Sequence, residues 1–193
     1  SPNSGSRVMT KNTSTNILLN PLKGFAAPAI AAMLFLWSAP TAQAGENGAF
    51  LQGTTLEDGT TNLKITSYKA VKWSTSSLDP AVFEHPTGNP TRLKVKANGD
   101  YFIALTAPIF SNVVNGGKRS VQSYVVFKNG TAIPEGSSRC TYLRHYDGHA
   151  ETSAHVHIML PGLSANDYIE VKTKRSTTTN SYDTSMQTTS LYA

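Results

Sequence analysis

The segment SAHVHIML, Ser153–Leu160, is decisive for the fold class because its side chains alternate in character along the chain. Successive side chains of a β-strand point to opposite faces, so each half of the segment lines one face. The half predicted to face a core is aliphatic: Val156, Ile158 and Leu160. The half predicted to face away from it is different: His155, His157 and Met159. One core-like face is typical of an antiparallel sheet that covers a core on one side.

Further runs of strand length lie on both sides of this segment, separated by turn residues. Their regular spacing is typical of an antiparallel sandwich or barrel, and residues 45–193 show no convincing helical period. The sequence therefore predicts an all-β protein. The other predicted strands are Leu63–Tyr68, Thr91–Val95, Asp100–Pro108, Ser120–Lys128, Thr141–Arg144, Tyr168–Lys174 and Met186–Tyr192.

Turn residues between these runs support the prediction, because they tolerate the positive φ angles of tight hairpins. A Ser/Thr-rich segment with no apolar content, Ser176–Ser185, is predicted to be a mobile loop before the last strand. The predicted turns are Asn98-Gly99, Asn115-Gly116-Gly117, Asn129-Gly130 and Asp147-Gly148.

The first part of the chain has the pattern of an export signal. A polar, basic stretch after Met9 lacks acidic residues, and an apolar run from Gly24 to Trp37 follows it. The run is too short to cross a hydrocarbon core of about 30 Å as a helix, and it leads to the cleavage pattern Ala42-Gln43-Ala44. We expect residues 9–44 to be a cleaved signal peptide and residues 1–8 to be a vector-derived or over-called extension.

After processing, no membrane span and only one domain are expected, since about 150 residues remain. Residues 45–62 are rich in Gly, Thr and acidic side chains and are predicted to form an extended N-terminal arm, with the folded domain at residues 63–193. The formal charge of +5 falls to about +2 without the basic leader, which argues against nucleic acid as a partner. The expected localisation is extracellular or at the cell surface, and the Ala-x-Ala ending favours a bacterial source.

The chain contains a single cysteine, Cys140. No disulfide can therefore form within one chain, although disulfides persist outside the cell. Two states of the thiol remain open: it is buried and inert, or it pairs between two chains. In either case, stability must come from the core or from assembly.

Several stretches, in order, resemble the tumour necrosis factor-like jelly roll, the superfamily that includes the globular heads of the complement first-component q subunits. Asn98–Ile103 resembles the family's glycine turn that leads into core aromatic residues. Val125–Thr131 resembles its apolar strand followed by an Asn-Gly hairpin. Ala154–Leu160 followed by Pro161–Val171 is similar to its strand, loop, Gly-Asp, strand signature, with Asn166 in the place of a glycine.

The resemblance covers about Lys64 to Ala193, and Ser190–Ala193 forms a terminal strand where such domains commonly end. It implies an all-β fold, an antiparallel two-sheet jelly-roll sandwich. It also implies a homotrimer around a threefold axis, with loops presented to a ligand at one end. A collagen-like stalk is missing from the sequence, so the multivalent architecture of the complement proteins is not implied.

Four of the five histidines lie within thirteen residues and form a candidate metal site: His145, His149, His155 and His157. Neutral imidazole is a common ligand of divalent transition metals. The His-x-His order is similar to the metal motif of cupins, which are also jelly rolls, but Ile158–Gly162 stands where the cupin glutamate is expected. The alternative interpretation is an exposed or interface face of a strand, with no cofactor.

Aromatic side chains in loops can stack on sugar rings because their faces offer a large contact area. The candidate ligand-binding residues are Trp73, Tyr146 and Tyr182, with Tyr142 as a further candidate. Most aromatic residues of a sandwich lie in its core, which is the alternative for Trp73. Tyr146 lies in a polar turn.

Three hypotheses about function follow. The first is a secreted, non-enzymatic binding or assembly module, a homotrimer that recognises a glycan or protein ligand; no G-x-S-x-G elbow or phosphate-binding glycine loop indicates an enzyme. The second is a metal-dependent, cupin-like enzyme that uses the histidine cluster. The third is a fibre subunit whose arm, Gly45–Thr61, adds as a strand to a neighbouring sheet.

Overall fold

The computed structural model describes residues 47–111, 118–145, 149–176 and 184–193. The predicted extension, residues 1–8, and the predicted signal peptide, residues 9–44, lie outside these ranges. Within them the chain forms strands and no helix. The strands are β1 (Ala49–Gly53), β2 (Thr55–Leu56), β3 (Lys69–Lys72), β4 (Thr75–Leu78), β5 (Phe83–Glu84), β6 (Arg92–Val95), β7 (Gly99–Phe110), β8 (Lys118–Lys128), β9 (Thr131–His145), β10 (Glu151–Leu163), β11 (Tyr168–Arg175), β12 (Ser185–Met186) and β13 (Thr189–Tyr192).

The strands form two antiparallel sheets. The first sheet has the order β10-β7-β13-β1-β4, and β12 also pairs with β7. In the second sheet β11 pairs with β8, β3 and β6, while β9 pairs with β8, β2 with β3 and β5 with β6. The predicted class, an all-β antiparallel two-sheet jelly-roll sandwich, is confirmed. None of the described segments forms a helix that is long and apolar enough to cross a membrane.

The core lies between the sheets and is built from alternate residues of the long strands. In β7 the inward side chains from Tyr101 to Ile109 are buried, and their neighbours in sequence point outward. Tyr101 packs edge-on against Phe83, with ring centroids 5.5 Å apart, and its hydroxyl donates to the carbonyl of Ala97 at 2.7 Å. Burial raises the pKa of the Tyr101 phenol above its ordinary value.

The alternation predicted for Ser153–Leu160 is confirmed in β10. Val156 and Leu160 are buried and Ile158 packs against the core. The other face is exposed, with Met159 at 56%. The Asn-Gly hairpin is confirmed as well, because Asn129 and Gly130 both adopt positive φ, as does Asn166. The predicted turns at Asn115-Gly116-Gly117 and Asp147-Gly148 lie outside the described residues.

The strand predicted at Leu63–Tyr68 is not formed. Leu63 is fully buried, its N–H donates to the carbonyl of Thr184 at 2.7 Å, and its carbonyl accepts from the Gln122 amide at 3.2 Å. Next to it, Asn62 makes a single bridge to Ser185. The apolar side chains of Leu63–Tyr68 therefore indicated that this segment is buried, and not that it pairs as a strand.

Two other predicted strands differ in length. Thr141–Arg144 is the end of β9, which begins at Thr131, and Met186–Tyr192 is divided between β12 and β13. Pro134 and Gly136 interrupt the alternation of apolar and polar residues in β9. The pairing of β9 with β8 nevertheless continues, through two register shifts. Most of the predicted loop Ser176–Ser185 lies outside the described residues.

The predicted arm, residues 45–62, belongs in part to the sandwich. Ala49–Gly53 pairs with β13 on one side and with β4 on the other, and Leu51 and Leu56 are fully buried. The alternation of β1 was hard to recognise because two of its three buried positions are the small residues Ala49 and Gly53. The domain therefore begins before residue 63. Because β1 lies inside its own sheet, it could be donated to a neighbour only after leaving that sheet.

Side chains fix three turns at one end of the sandwich. Asn98 accepts a hydrogen bond from the N–H of Ala165, and Asp100 accepts one from the N–H of Gly162, each at 2.8 Å. Asn129 donates to Asp167 at 2.7 Å and accepts from the N–H of Tyr168 at 2.9 Å. These bonds explain the spacing of asparagine, aspartate and glycine in the sequence, since polar turns need local partners.

The carboxylate of Asp167 is expected to make stability depend on pH. Hydrogen bonds from Asn129, Ser164 and Lys128 lower its pKa from 3.8 to about 2. The folded pKa is below the unfolded one, so the stabilisation is present above about pH 4 and is lost as pH falls towards 2. After allowance for its solvent exposure, we expect Asp167→Asn to cost about 1 kcal/mol at pH 7.

Urea denaturation at pH 7 and pH 3 measures this effect. The difference between the wild type and Asp167→Asn should shrink at the lower pH, and the exposed control Glu57→Gln should change little. An equal difference at both pH values would show that Asp167 acts through packing and not through its charge.

Candidate functional site

The outer face of the first sheet carries three of the five large apolar or aromatic side chains that are exposed in the described part of the chain. Directly paired residues of an antiparallel sheet share a face, so the strand registers define rows across it. The first row pairs Met159 with Phe102. The second row runs across five strands: His157, Ala104, Tyr192, Phe50 and Ser77. The third row is polar: His155, Thr106, Ser190, Gln52 and Thr75.

We call Phe50, Phe102, Ala104, His157, Met159 and Tyr192 the aromatic face. Phe102, Met159 and Tyr192 are 52%, 56% and 50% exposed. The rings of Phe50 and Tyr192 lie 4.7 Å apart, and that of Phe102 lies 6.1 Å from the imidazole of His157. The small side chain of Ala104 lies between His157 and Tyr192 in the second row. Large apolar side chains on the solvent side of a sheet commonly mark an interaction surface.

The three rows contain no lysine, arginine, aspartate or glutamate, and all of their residues belong to the described part of the chain. The outer face of the second sheet is different. There, Lys172 lies over the ring of Phe127 and Arg92 lies over that of Tyr168, at 4.8 and 4.0 Å from the centroids. The nearly buried carboxylate of Glu170 bridges these two cations. Charged side chains thus cover the aromatic rings on the outer face of the second sheet.

A recess with a volume of about 510 Å³ adjoins the aromatic face. Phe102 and Tyr192 form one side of it, and the turn Ala97–Asp100 forms another. Because Asn98 and Asp100 bond to the loop after β10, this turn is held in place. The chain therefore presents protruding side chains and, beside them, a preformed recess.

The candidate metal residues are only partly described. His155 and His157 share the outward face of β10, as the alternation predicted, and the imidazole of His155 bonds to the hydroxyl of Thr106 at 3.3 Å. His149 is exposed before β10, while the side chain of His145 lies outside the described residues. In the part of the chain that the structure describes, histidine, cysteine, aspartate and glutamate form no group of three that could hold a metal ion.

The candidate sugar-stacking residues have different positions. Trp73 lies in the core at 2% exposure, and its indole N–H donates to the carbonyl of Thr91 at 3.2 Å. Its ring is therefore not accessible to a ligand, which corrects its assignment as a ligand-binding residue. Tyr146 and Tyr182, like the side chain of Cys140, lie outside the described residues. Tyr142 is 45% exposed in β9.

Sequence reasoning missed the aromatic face. It placed Met159 and the two histidines on an outward face, but it assigned the aromatic residues of Asn98–Ile103 to the core. Only Tyr101 has that position, and Phe102 points outward. Phe50 was assigned to the arm. The alternation of Phe102, Ala104 and Thr106 with buried residues was the available signal.

The chain matches no family model and no curated protein. Among solved structures it is similar to the crystal structure of murine APRIL at pH 5.0, at 14% identity and a TM-score of 0.42, over 75% of this chain and 97% of that chain. The structure of murine APRIL at pH 8.5 gives 13% identity and a TM-score of 0.38 over the same shares. At these identities and TM-scores the likeness carries no conclusion about function.

Proposed function

We propose that this protein is an exported, non-enzymatic jelly-roll module that assembles with copies of itself through the aromatic face. The assembly is a homotrimer that acts at a cell surface or in an extracellular matrix and recognises a glycan or protein ligand. The observation that carries the proposal is the uncharged patch that the three rows form on the outer face of the first sheet, with Phe102, Met159 and Tyr192 half exposed.

The composition of this face supports a protein partner. The buried centre of a protein interface is depleted in charged residues and enriched in Tyr, Phe and Met. The aromatic face has this composition, whereas the second sheet covers its rings with Arg92 and Lys172. An identical chain provides the same uncharged chemistry, and burying these side chains would stabilise the complex by the hydrophobic effect.

The neighbouring recess supports a closed ring of copies. Met159 protrudes and does not line the recess, whereas Phe102, Tyr192 and Ala97–Asp100 form the walls of the recess, which is of a size to receive such a side chain. When a protruding surface of one protomer fits a different, concave surface of the next, the contact is heterologous and repeats until the ring closes. A trimer is a small ring of this kind.

The single cysteine supports assembly as a source of stability. The chain can form no internal disulfide, and exported domains without this crosslink rely on their core or on association. Association adds stability by mass action, since partner copies bind the folded state only.

Light scattering of the chain from Gly45 onward tests the proposal, because Pro40–Ala193 forms a compact unit by itself. At about 50 µM, well above the dissociation constant of a typical stable interface, we expect three times the mass of one chain. A monomer at this concentration would refute self-association. Open-ended polymers would instead favour the fibre hypothesis, which then requires β1 to leave its own sheet.

A further inference from the structure

A second concave surface lies at the edge of the sandwich where β9 ends and β10 begins. It has a volume of about 280 Å³ and is lined by Tyr142, Arg144, His149, Glu151 and Thr152. Glu151 pairs with Phe110, whereas Met159 pairs with Phe102. Eight residues of extended strand separate the two positions, or roughly 27 Å. This polar cleft is therefore distinct from the aromatic face and from the recess beside it.

Tyr142 provides a fixed aromatic surface in the polar cleft. Its neighbours Thr141 and Leu143 are buried at 5% and 1%, while Tyr142 itself is 45% exposed. The alternation of β9 thus anchors the backbone in the core and directs the ring towards solvent. An aromatic ring held in this way offers contact area with little loss of side-chain entropy on binding.

The other residues combine hydrogen-bond donors with an acceptor. Arg144 and His149 can donate, the carboxylate of Glu151 accepts, and the hydroxyl of Thr152 does both. Arg144 and Glu151 are exposed in the chain alone. A sugar hydroxyl also both donates and accepts, so neighbouring hydroxyl groups match a mixed set of this kind.

The size and composition of the cleft argue against other classes of ligand. Ligand pockets for drug-sized molecules measure about 300–1,000 Å³, so 280 Å³ accommodates a single ring and not a folded partner. An apolar molecule would meet one aromatic ring and four polar side chains. A phosphate group would meet the negative charge of Glu151 beside Arg144. A metal ion would find only His149 and Glu151 among these residues.

We infer that the polar cleft binds one pyranose unit of a saccharide. The sugar ring stacks on Tyr142, its hydroxyl groups donate to Glu151, and Arg144, His149 and Thr152 complete the polar contacts. The inference names a site for the glycan recognition included in the proposed function. It does not depend on self-association, since all five residues belong to one chain.

Saturation-transfer NMR tests the site with five defined probes: the methyl glycosides of β-galactose, β-glucose, α-mannose and β-glucuronic acid, together with N-acetylglucosamine. With each probe at about 10 mM, which suits a millimolar dissociation constant, we expect saturation of the ring protons of at least one. Tyr142→Ala should weaken that binding at least tenfold, and Glu151→Ala about fivefold. Tyr142→Phe should retain it, because the stacking face remains.

Tyr68→Ala is the matched control. Tyr68 is another partly exposed tyrosine, at 37%, but it lies on the second sheet against Phe127. Its variant should bind the sugar normally. Absence of saturation with every probe would overturn the inference, as would unchanged binding by Tyr142→Ala. Repeating the titration with a monomeric variant separates this outcome from a failure of self-association, because the cleft should bind in both states.

Discussion

Substitution of Tyr192 or Met159 by glutamate is expected to convert the trimer into folded monomers. Both side chains are at least half exposed in the isolated chain, so a carboxylate there remains hydrated and leaves the fold intact. In the assembly, the same carboxylate would be buried in an uncharged interface without a partner, which costs several kcal/mol. We expect the dissociation constant to rise by at least about 100-fold.

Light scattering and circular dichroism measure the two parts of this prediction. The mass should fall from three chains to one, while the β-sheet spectrum stays unchanged. Tyr68→Glu is the matched control, since it makes the same change on the second sheet, where Lys174 lies 4.4 Å from the ring centroid. A control that dissociates, or a Tyr192→Glu variant that remains trimeric, would contradict the assignment of the interface.

Gly53→Ala is expected to destabilise the fold more than any other single methyl addition to a described glycine. Gly53 ends β1 of the first sheet, and the chain crosses there to β2 of the second. A Cβ atom at this position would overlap the backbone carbonyl oxygen of Lys72 and press on Val71. Backbone cannot rotate away as a flexible side chain can, so we expect a loss of about 3 kcal/mol.

Thermal and urea denaturation measure this loss. Gly88→Ala is the control, because Gly88 has no heavy atom within 4 Å of the added methyl group and no positive φ. Its free energy of unfolding should change by less than about 0.5 kcal/mol. Equal stability of the two variants would mean that β1 does not cross between the sheets as described.

The strands with regular alternation could be predicted from sequence. In β7 and β10 apolar residues occupy nearly every second position. In β8 and β11 the alternation is partial, because Ser120, Gln122 and Thr173 also take buried positions. β1 could not be recognised in this way. Leu51 is the one large aliphatic residue of Ala49–Gly53, and the other buried positions are the small residues Ala49 and Gly53. Its burial depends on β13, whose partner position lies about 140 residues further along the chain.

The aromatic face could be recognised only in three dimensions. Phe50, Phe102 and Tyr192 come from distant parts of the sequence, and each is an ordinary aromatic residue in a strand. The registers of β7, β13 and β1 bring them together. The polar cleft was partly predicted: sequence reasoning selected His149 and Tyr142 as separate candidates, and the structure brings them together with Arg144, Glu151 and Thr152.

The most direct test of the interface is an isotope-filtered NOE experiment on a mixture of two preparations of the chain. One preparation carries methionine labelled with carbon-13 at its methyl group, and the other is unlabelled. We predict contacts from the Met159 methyl group to aromatic protons of another chain, and none from Met186, which is buried at 4% within its own sandwich. Oligomers in which Met159 shows no contact between chains would contradict assembly through the aromatic face.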